Sequence, residues 1–366
     1  MTLAPFDFKL HPRLVFGPGA IKQLGDLAKG LGFTKTLLVA DSGLVKAGHV
    51  AQATTLLEAS GIVVTHFQDF SENPDTNMVE HGRQVGAKSH VDSIIGLGGG
   101  SSLDCAKAIN FVYCCGGNMR DYWGHNKATH SLLPMIGVPC TTGTGSEAQT
   151  YALISDAETH IKMACGDDRA GFRIALLDPE LALSQPHSVR ATAGYDAISH
   201  AVETFVTTKR NAVSDAFSRQ AWRLLSCAFP KLILEPEDME AVGEMQLGAW
   251  FAGCAIEASM LGATHATANP LTASYGTAHG AAIAVMLPHV VEWNQLRQYE
   301  QLAPHLSQHL ADLAMLAGLP GSLKELNVPS EDLPLLAQAA AEQWTGRFNP
   351  RPFDAAAALA LYQRAY

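Results

Sequence analysis

In the first half of the chain, short apolar runs alternate with segments whose apolar residues recur at helical spacing. Continuous apolar runs are typical of strands that are buried on both faces of a parallel sheet. They occur at residues 36–40, 62–67, 93–97 and 133–138, with an edge strand at 14–16. Helical patterns follow at residues 20–30, 46–60 and 76–89. Repeated β-α-β units with short connections predict a parallel, doubly wound sheet of the Rossmann-like α/β class.

The pattern changes near residues 183–187, and almost every later segment has helical periodicity. Helices are predicted at residues 195–207, 212–229, 239–261, 288–293, 299–317 and 355–366. We therefore predict an α/β domain over residues 1–185 and an all-α domain over residues 186–366. A cleft between two such domains is the usual place for a binding site.

The composition of the chain argues against nucleic-acid and membrane partners. The chain has 366 residues, of which 47% are hydrophobic and 16% are charged, and its formal net charge is -10. An acidic chain without a basic cluster argues against a nucleic-acid partner. No apolar run reaches the length of a membrane span, and residues 1–10 lack the apolar core of a signal peptide. The expectation is a cytoplasmic enzyme or binding protein with no membrane partner.

Two polar loops follow predicted strands and point to a phosphate-bearing ligand. Gly98, Gly99, Gly100 and Ser101 lie between the strand at 93–97 and a predicted helix. Glycines allow a close backbone approach, and the first amides of the helix favour an anion. A second loop, at 139–147, carries Thr141, Thr142 and Thr144. Each loop alone could be a tight turn or a helix cap, but the two together favour a dinucleotide.

Asp41 follows the strand at 36–40. An acid at this position can accept hydrogen bonds from an adenosine ribose and would repel a 2′-phosphate. This favours NAD over NADP. The alternative is that Asp41 only forms a local turn with Gly43.

Four side chains in the second half could bind a metal ion. Asp196 and His200 are four residues apart in a predicted helix, so they project from one face. His265 and His279 lie downstream in segments that contain glycine and proline. One carboxylate and three imidazoles suit Zn²⁺ or Fe²⁺ and can leave a position open for substrate. The alternative is that these are ordinary core or surface histidines.

These residues and their order resemble the iron-containing (group III) alcohol dehydrogenase family. The shared motifs are Phe16-Gly17-Pro18-Gly19, Asp41, Asn73-Pro74, Gly98 to Ser101 with Asp104 and Lys107, Thr141 to Glu147, Leu177-Asp178-Pro179-Glu180, Gly194 to Glu203, His265, His279-Gly280, Leu287-Pro288-His289 and Asn349-Pro350-Arg351-Pro352. The resemblance implies a dehydroquinate-synthase-like fold, in which a Rossmann-like domain binds NAD(P) and a helical domain holds one divalent metal.

The resemblance also implies roles for individual residues. Metal ligands would be Asp196, His200, His265 and His279, and cofactor-binding positions would include Asp41, Asn73, Gly98 to Ser101, Thr141, Thr142, Tyr151 and Lys162. Typical members carry a further histidine, thought to relay the substrate proton, at the position that Asn269 occupies here. Asparagine cannot titrate near neutral pH, so the route of the proton must differ.

The expected activity is hydride transfer between NAD(H) and a small alcohol or its aldehyde or ketone, by a homodimer. Two alternatives stay open. One is a lyase similar to dehydroquinate synthase, for whose phosphate-bearing substrate Lys162, Arg169 and Arg173 are the main basic candidates. The other is a nucleotide-binding scaffold without catalysis.

Overall fold

The computed structural model describes residues 5–366. Residues 1–4 lie outside the described residues, so part of the N-terminal stretch that was expected to lack a signal peptide is not described. The chain divides into two compact units. Leu10–Ser184 form one, here the α/β unit, and Gln185–Tyr366 together with residues 5–9 form the other, here the helical unit.

The strands are β1 (Arg13–Phe16), β2 (Lys35–Val39), β3 (Val63–Phe67), β4 (Ser93–Gly98), β5 (Gly124–His125), β6 (Met135–Pro139), β7 (Tyr151–Ser155), β8 (Lys162–Gly166) and β9 (Ile174–Leu177). The helices of the α/β unit are α1 (Leu24–Gly30), α2 (Ser42–Lys46), α3 (His49–Ala59), α4 (Thr76–Ser89), α5 (Gly100–Cys115) and α6 (Pro179–Ala182). Those of the helical unit are α7 (His187–Val206), α8 (Ala212–Leu234), α9 (Met239–Ala258), α10 (Ala263–Tyr275), α11 (His279–Asn294), α12 (Leu306–Leu316), α13 (Leu333–Glu342) and α14 (Ala355–Ala365).

The main sheet of the α/β unit has six parallel strands in the order β1-β9-β6-β4-β2-β3. Every residue of β4 and β6 is buried, as their continuous apolar sequences predict. Alternate side chains enter opposite faces: Ile94 joins the core cluster that includes α5, and Ile95 joins the cluster that includes α1 and α3. The predicted α/β class is confirmed for this unit.

The strand order reverses direction at β2. From β2 the chain passes to β3 at one edge and then returns to β4 on the other side of β2. The loops that follow β2 and β4 therefore leave the same edge of the sheet side by side. In doubly wound sheets such a reversal is where ligands bind. The loop after β2 contains Asp41, and the loop after β4 contains Gly99.

The α/β unit also contains a small sheet that the apolar pattern did not reveal. Its strand order is β5-β8-β7, with β7 and β8 antiparallel. The helix predicted over residues 46–60 is also interrupted, because Gly48 adopts φ 85° between α2 and α3. The left-handed backbone at this glycine ends one helix and allows the next to start.

The second unit is mostly helical, as predicted, but its helix boundaries differ. Helix α7 begins at His187 rather than at 195, and α11 begins at His279 rather than at 288. Helices α10 and α13 were not predicted. Pro270 and Pro288 lie inside α10 and α11, where a proline normally argues against a helix. Among the described residues, no helix is both long and apolar enough to cross a bilayer.

Candidate active site

Three imidazole nitrogens converge on one carboxylate oxygen in the helical unit. The Nε2 atoms of His200, His265 and His279 lie 3.4, 3.5 and 3.8 Å from Oδ1 of Asp196. The four side chains are only 6–23% exposed. Helix α7 carries Asp196 and His200, α10 carries His265, and α11 begins at His279. The residues singled out from the sequence are thus brought together.

The spacing of these atoms fits a shared cation better than it fits hydrogen bonds. Hydrogen bonds between nitrogen and oxygen have a typical length of about 2.9 Å. Ligand atoms held about 2.1 Å from a tetrahedral metal lie about 3.4 Å from each other. Asp196, His265 and His279 each offer a ligand atom, and these atoms lie within 4.8 Å of one another. Within residues 5–366, Asp196 Oδ1 and His265 Nε2 are buried without a hydrogen-bond partner. The donor set therefore fits one divalent metal.

Glu203 orients one member of this cluster, and sequence reasoning did not assign it a role. Its Oε2 lies 2.5 Å from Nδ1 of His265, and its Oε1 accepts a hydrogen bond of 2.7 Å from the backbone N–H of Thr264. With the proton on Nδ1, the Nε2 lone pair of His265 faces Asp196. Metal-binding histidines are commonly held in this way by a carboxylate. The available signal was the spacing of Asp196, His200 and Glu203, which places all three on one face of a helix.

The charges in this cluster are strongly coupled. Burial alone would raise the pKa of Asp196, but the neighbouring imidazoles of His200, His265 and His279 hold that pKa well below its usual range. Burial lowers the pKa of His200, although Asp196 opposes this. Burial also acts to lower the pKa of His265, yet Glu203 and Asp196 together raise it to about 9. The carboxylates therefore make this buried site attractive to positive charge.

The glycine-rich loop of the α/β unit has the geometry of an anion site. Gly98 adopts φ 144°, and a Cβ there would lie 2.4 Å from Ser102 Oγ. A Cβ on Gly100 would lie 2.7 Å from Thr144 Oγ1, and one on Gly99 would lie 3.2 Å from a methyl carbon of Thr141. Helix α5 has no side-chain cap and no acidic residue in its first turn. Its exposed amide dipoles therefore favour a phosphate.

Two other predicted cofactor residues, Asn73 and Lys162, are linked to this loop through Ser101. The backbone N–H of Asn73 donates to Ser101 Oγ at 3.2 Å, and its side-chain oxygen accepts from Lys162 Nζ at 3.2 Å. Thr142 is fully buried. Tyr151 begins β7, and its ring lies 5.4 Å from that of His125.

Asp41 forms the local turn that was considered as an alternative and also faces the glycine loop. Its Oδ1 accepts hydrogen bonds from the N–H groups of Gly43 and Leu44, at 2.8 and 3.2 Å. Its Oδ2 accepts from Ser102 Oγ at 3.4 Å. The two roles are compatible, because a cap at the start of α2 fixes the carboxylate beside the first turn of α5.

A buried lysine supports the second loop. Lys107 Nζ donates to Ser146 O at 2.8 Å, to Ser146 Oγ at 2.9 Å and to Tyr151 O at 2.6 Å. Ser146 Oγ in turn donates to Asp104 Oδ1 at 2.6 Å. Helix α5 is thus connected to the loop after β6 and to β7 by Asp104 and Lys107. The sequence analysis named these two residues only as parts of a shared motif.

Asn269 lies on α10, one turn beyond His265. Its amide nitrogen donates to Oε1 of Gln343 at 3.0 Å, and Asn269 is half-buried. Gln343 is the C-cap residue directly after α13, and it was not singled out from the sequence.

Comparison with known proteins gives matches along nearly the whole chain. Residues 11–179 match a family model described as iron-containing alcohol dehydrogenase, and residues 190–366 match the C-terminal part of the Fe-containing alcohol dehydrogenase family. The NAD-dependent methanol dehydrogenase of Bacillus methanolicus is 32% identical, with 94% of this chain and 96% of that protein covered. The 1,3-propanediol dehydrogenase of Citrobacter freundii is also 32% identical, over 100% of both chains.

Solved structures agree with the sequence matches. A crystal structure of a 1,3-propanediol oxidoreductase superimposes with a TM-score of 0.95 at 30% identity, covering 99% of this chain and 100% of the other. The similarity therefore extends through both units and is not limited to the α/β unit.

Proposed function

The chain belongs to the iron-containing alcohol dehydrogenase family of oxidoreductases, and on that basis we propose that it transfers a hydride between NAD(H) and a small alcohol or its aldehyde. The observation that carries this proposal is the convergence of three histidine nitrogens on Asp196 Oδ1. A divalent metal at such a site could act as a Lewis acid on the oxygen of an alcohol or aldehyde.

We assign the metal ligands to Asp196, His200, His265 and His279, with Fe²⁺ or Zn²⁺ as the ion. Both ions accept oxygen and imidazole ligands. Glu203 supports this assignment because it holds His265 in the tautomer that leaves Nε2 available.

We assign dinucleotide binding to the α/β unit. The amide dipoles at the start of α5 would face the pyrophosphate, with Gly98, Gly99 and Gly100 allowing its close approach. Ser101, Thr141, Thr142 and Thr144 supply hydroxyl groups in the same region, and Asn73, Tyr151 and Lys162 complete the set.

We propose NAD rather than NADP as the cofactor. Asp41 lies beside the glycine loop with one carboxylate oxygen directed at Ser102. The negative charge of the Asp41 carboxylate would repel a ribose 2′-phosphate.

A divalent metal held by Asp196 and the three histidines would supply Lewis-acid polarisation of an alcohol oxygen, and NAD held at the glycine loop would supply the hydride acceptor. The residues of the chain position the reactants and control the proton. The amide of Asn269 can accept or donate a hydrogen bond but cannot take up a proton near neutral pH. The alcohol proton therefore needs an acceptor other than the side chain of Asn269.

The lyase alternative is less well supported. A phosphate-bearing substrate needs free cationic side chains, but Arg169 is engaged by Asp167, whose Oδ1 accepts from Nε at 2.7 Å, and by the carbonyl of Ala128. Lys162 Nζ donates to Asn73. A nucleotide-binding scaffold without catalysis would not need the four converging side chains that could bind a metal.

The direct test is NADH absorbance with a panel of small alcohols, diols and aldehydes, in the presence of Fe²⁺, Zn²⁺ or a chelator. Metal-dependent NAD reduction by an alcohol would support the proposal and remove the scaffold alternative. Turnover of a heptulosonate phosphate without net NADH would instead support the lyase.

We further propose a homodimer that works in the cytoplasm. Strand β1 is at the edge of the main sheet, and Phe16 at its end is 42% exposed. Edge strands with exposed apolar side chains are prone to pair with another chain. Light scattering on the purified protein tests the oligomeric state.

A further inference from the structure

One stripe of helix α10 faces the metal cluster. Residues along a helix are separated by about 100°, so Asn269 is offset by about 40° from His265, and Thr272 by about 20° in the other direction. His265 lies 3.5 Å from Asp196, and Thr272 Oγ1 lies 3.4 Å from Nδ1 of His279. Both neighbours of Asn269 along the stripe therefore contact the cluster. Along the helix axis Asn269 lies between these two residues, and around the axis it lies about 40° from His265 on the side away from Thr272.

The side chain of Asn269 is held by a residue that is distant in sequence. Its Nδ2 donates to Oε1 of Gln343, at 3.0 Å, and Gln343 is the residue at which α13 ends. Helices α10 and α13 pack against each other, so the hydrogen bond joins two neighbouring elements. A long amide side chain at a helix end would otherwise sample several rotamers.

The pair leaves one amide oxygen and one amide NH2 group without a protein partner among the described residues. Among the described residues, the hydrogen bond to Gln343 is the one made by the Asn269 side chain, so its Oδ1 and the Nε2 of Gln343 have no protein partner. Both residues are half-buried rather than fully exposed. If the oxygen and nitrogen of both amides were exchanged, the pair would still form and would still leave one donor and one acceptor.

We infer that Gln343 is a positioning residue for Asn269 and that this amide pair recognises a second hydroxyl group on the alcohol substrate. A hydroxyl group donates one hydrogen bond and accepts another, which is the complement of what the pair offers. An apolar chain end would leave both half-buried amide groups without partners, and that costs binding energy. The inference rests on the proposed function, since it concerns the substrate of that same site.

The substitutions that test this remove the amides and keep the shapes. Gln343→Met and Asn269→Leu eliminate hydrogen bonding while they keep the length and branching of each side chain. Gln308→Met is a matched control, because Gln308 on α12 has an exposed amide that bonds only to Asp312 in the part of the chain described. The substrates are an unbranched primary alcohol and the terminal diol of the same length, each measured with metal-loaded enzyme and saturating NAD.

The wild-type enzyme is expected to prefer the diol. Loss of one or two hydrogen bonds to a neutral group lowers kcat/KM for the diol by about fivefold to tenfold, mainly through KM. For the monoalcohol we expect less than a twofold change with Gln343→Met, and Gln308→Met should behave as wild type. Calorimetric titration of the enzyme–NAD complex with the diol should show the same weakening, while the metal content stays unchanged.

Three outcomes would overturn the inference. If kcat/KM falls equally for both alcohols, the pair is only a structural brace. If the diol preference and the calorimetric affinity survive both substitutions, the pair does not contact the second hydroxyl. If wild-type enzyme oxidises neither alcohol with any metal, the proposed function itself fails and the inference fails with it.

Discussion

Glu203 Oε2 lies 2.5 Å from Nδ1 of His265, on the side of the imidazole ring opposite Asp196. Both carboxylates are buried or nearly so, and they contact the two nitrogens of one ring. The arrangement fixes the ring orientation and makes Nε2 more basic. In the proposed metal site, the role of Glu203 is therefore to orient His265 rather than to contact the ion.

The first prediction concerns this supporting carboxylate. Glu203→Gln keeps the shape but weakens the hydrogen bond that orients His265, so metal affinity should fall by about tenfold to a hundredfold. Competition with a chelating dye measures the change. Glu240→Gln, at an exposed position in the first turn of α9, is the control and should bind metal as wild type does. Unchanged metal affinity in Glu203→Gln would refute the role of Glu203.

Gly98 should be essential to the nucleotide loop. Its φ of 144° is unfavourable for any other residue, and an added Cβ would lie 2.8 Å from Leu44 Cδ1 as well as 2.4 Å from Ser102 Oγ. Gly98→Ala should destabilise the protein by about 1–3 kcal/mol. The same strain should displace the loop and weaken NAD binding by at least about tenfold, which corresponds to a loss of about 1.4 kcal/mol of binding free energy.

Calorimetric titration with NAD and thermal unfolding measure both effects of Gly98→Ala. The matched control is Gly30→Ala at the exposed end of α1, where a Cβ would meet nothing within 4 Å. The control should be neutral or slightly stabilising. NAD affinity equal to that of wild type in Gly98→Ala would mean that the loop does not approach the cofactor.

Lys107 should be required for stability rather than for chemistry. It is fully buried, and its ammonium group donates to Ser146 and to the carbonyl of Tyr151. Lys107→Met leaves those acceptors buried and removes the charge that faces Asp104, so we expect a loss of about 3 kcal/mol or more. Thermal unfolding measures this loss. Lys88→Met, at an exposed position on α4, should change stability little, and an equal loss in both variants would contradict the structural role.

Glu147 should make stability depend on pH. Burial raises the pKa of this side chain from its ordinary value of 4.5 to about 7, while Lys107 opposes the rise. Its Oε2 is buried and has no hydrogen-bond partner among the described residues. The folded protein thus holds the proton more tightly than the unfolded chain does. The contribution of Glu147 to stability is therefore greatest below the unfolded pKa and declines as the pH rises through about 7.

Glu147→Gln should remove this decline. The difference in unfolding free energy between the variant and wild type should shift in favour of the variant by up to roughly 3 kcal/mol between acidic and mildly alkaline buffer. Thermal unfolding across that range measures it. Glu58→Gln, at an exposed position on α3, should give a constant difference. A constant difference for Glu147→Gln as well would show that Glu147 does not titrate in this interval.

The sequence predicted the features that depend on local pattern. Buried strands such as β4 and β6 are continuous apolar runs, and the turn after β4 needs glycine, so both are visible without a structure. Helix α10 was missed because Pro270 lies within it and its small residues give no clear apolar period. The start of α11 differs from the predicted one for a similar reason, because a proline is favoured in the first turn of a helix, whereas Pro288 lies inside α11.

Some contacts between residues distant in sequence leave no signal in the sequence. Lys107 and Ser146 are separated by 39 residues, and Asn269 and Gln343 by 74. Whether such side chains meet depends on how helices and strands pack. Glu203 is different, because its spacing from Asp196 and His200 already places all three residues on one face of α7.

The central claim is that Asp196, His200, His265 and His279 hold one divalent metal on which NAD-linked alcohol oxidation depends. The most direct measurement combines metal analysis with NADH formation for wild-type protein and Asp196→Asn, before and after treatment with a chelator. We predict about one metal ion per wild-type chain, loss of turnover on its removal, recovery with Fe²⁺ or Zn²⁺, and neither metal nor turnover in Asp196→Asn. Full turnover by metal-free wild-type protein, or by Asp196→Asn, would contradict the claim.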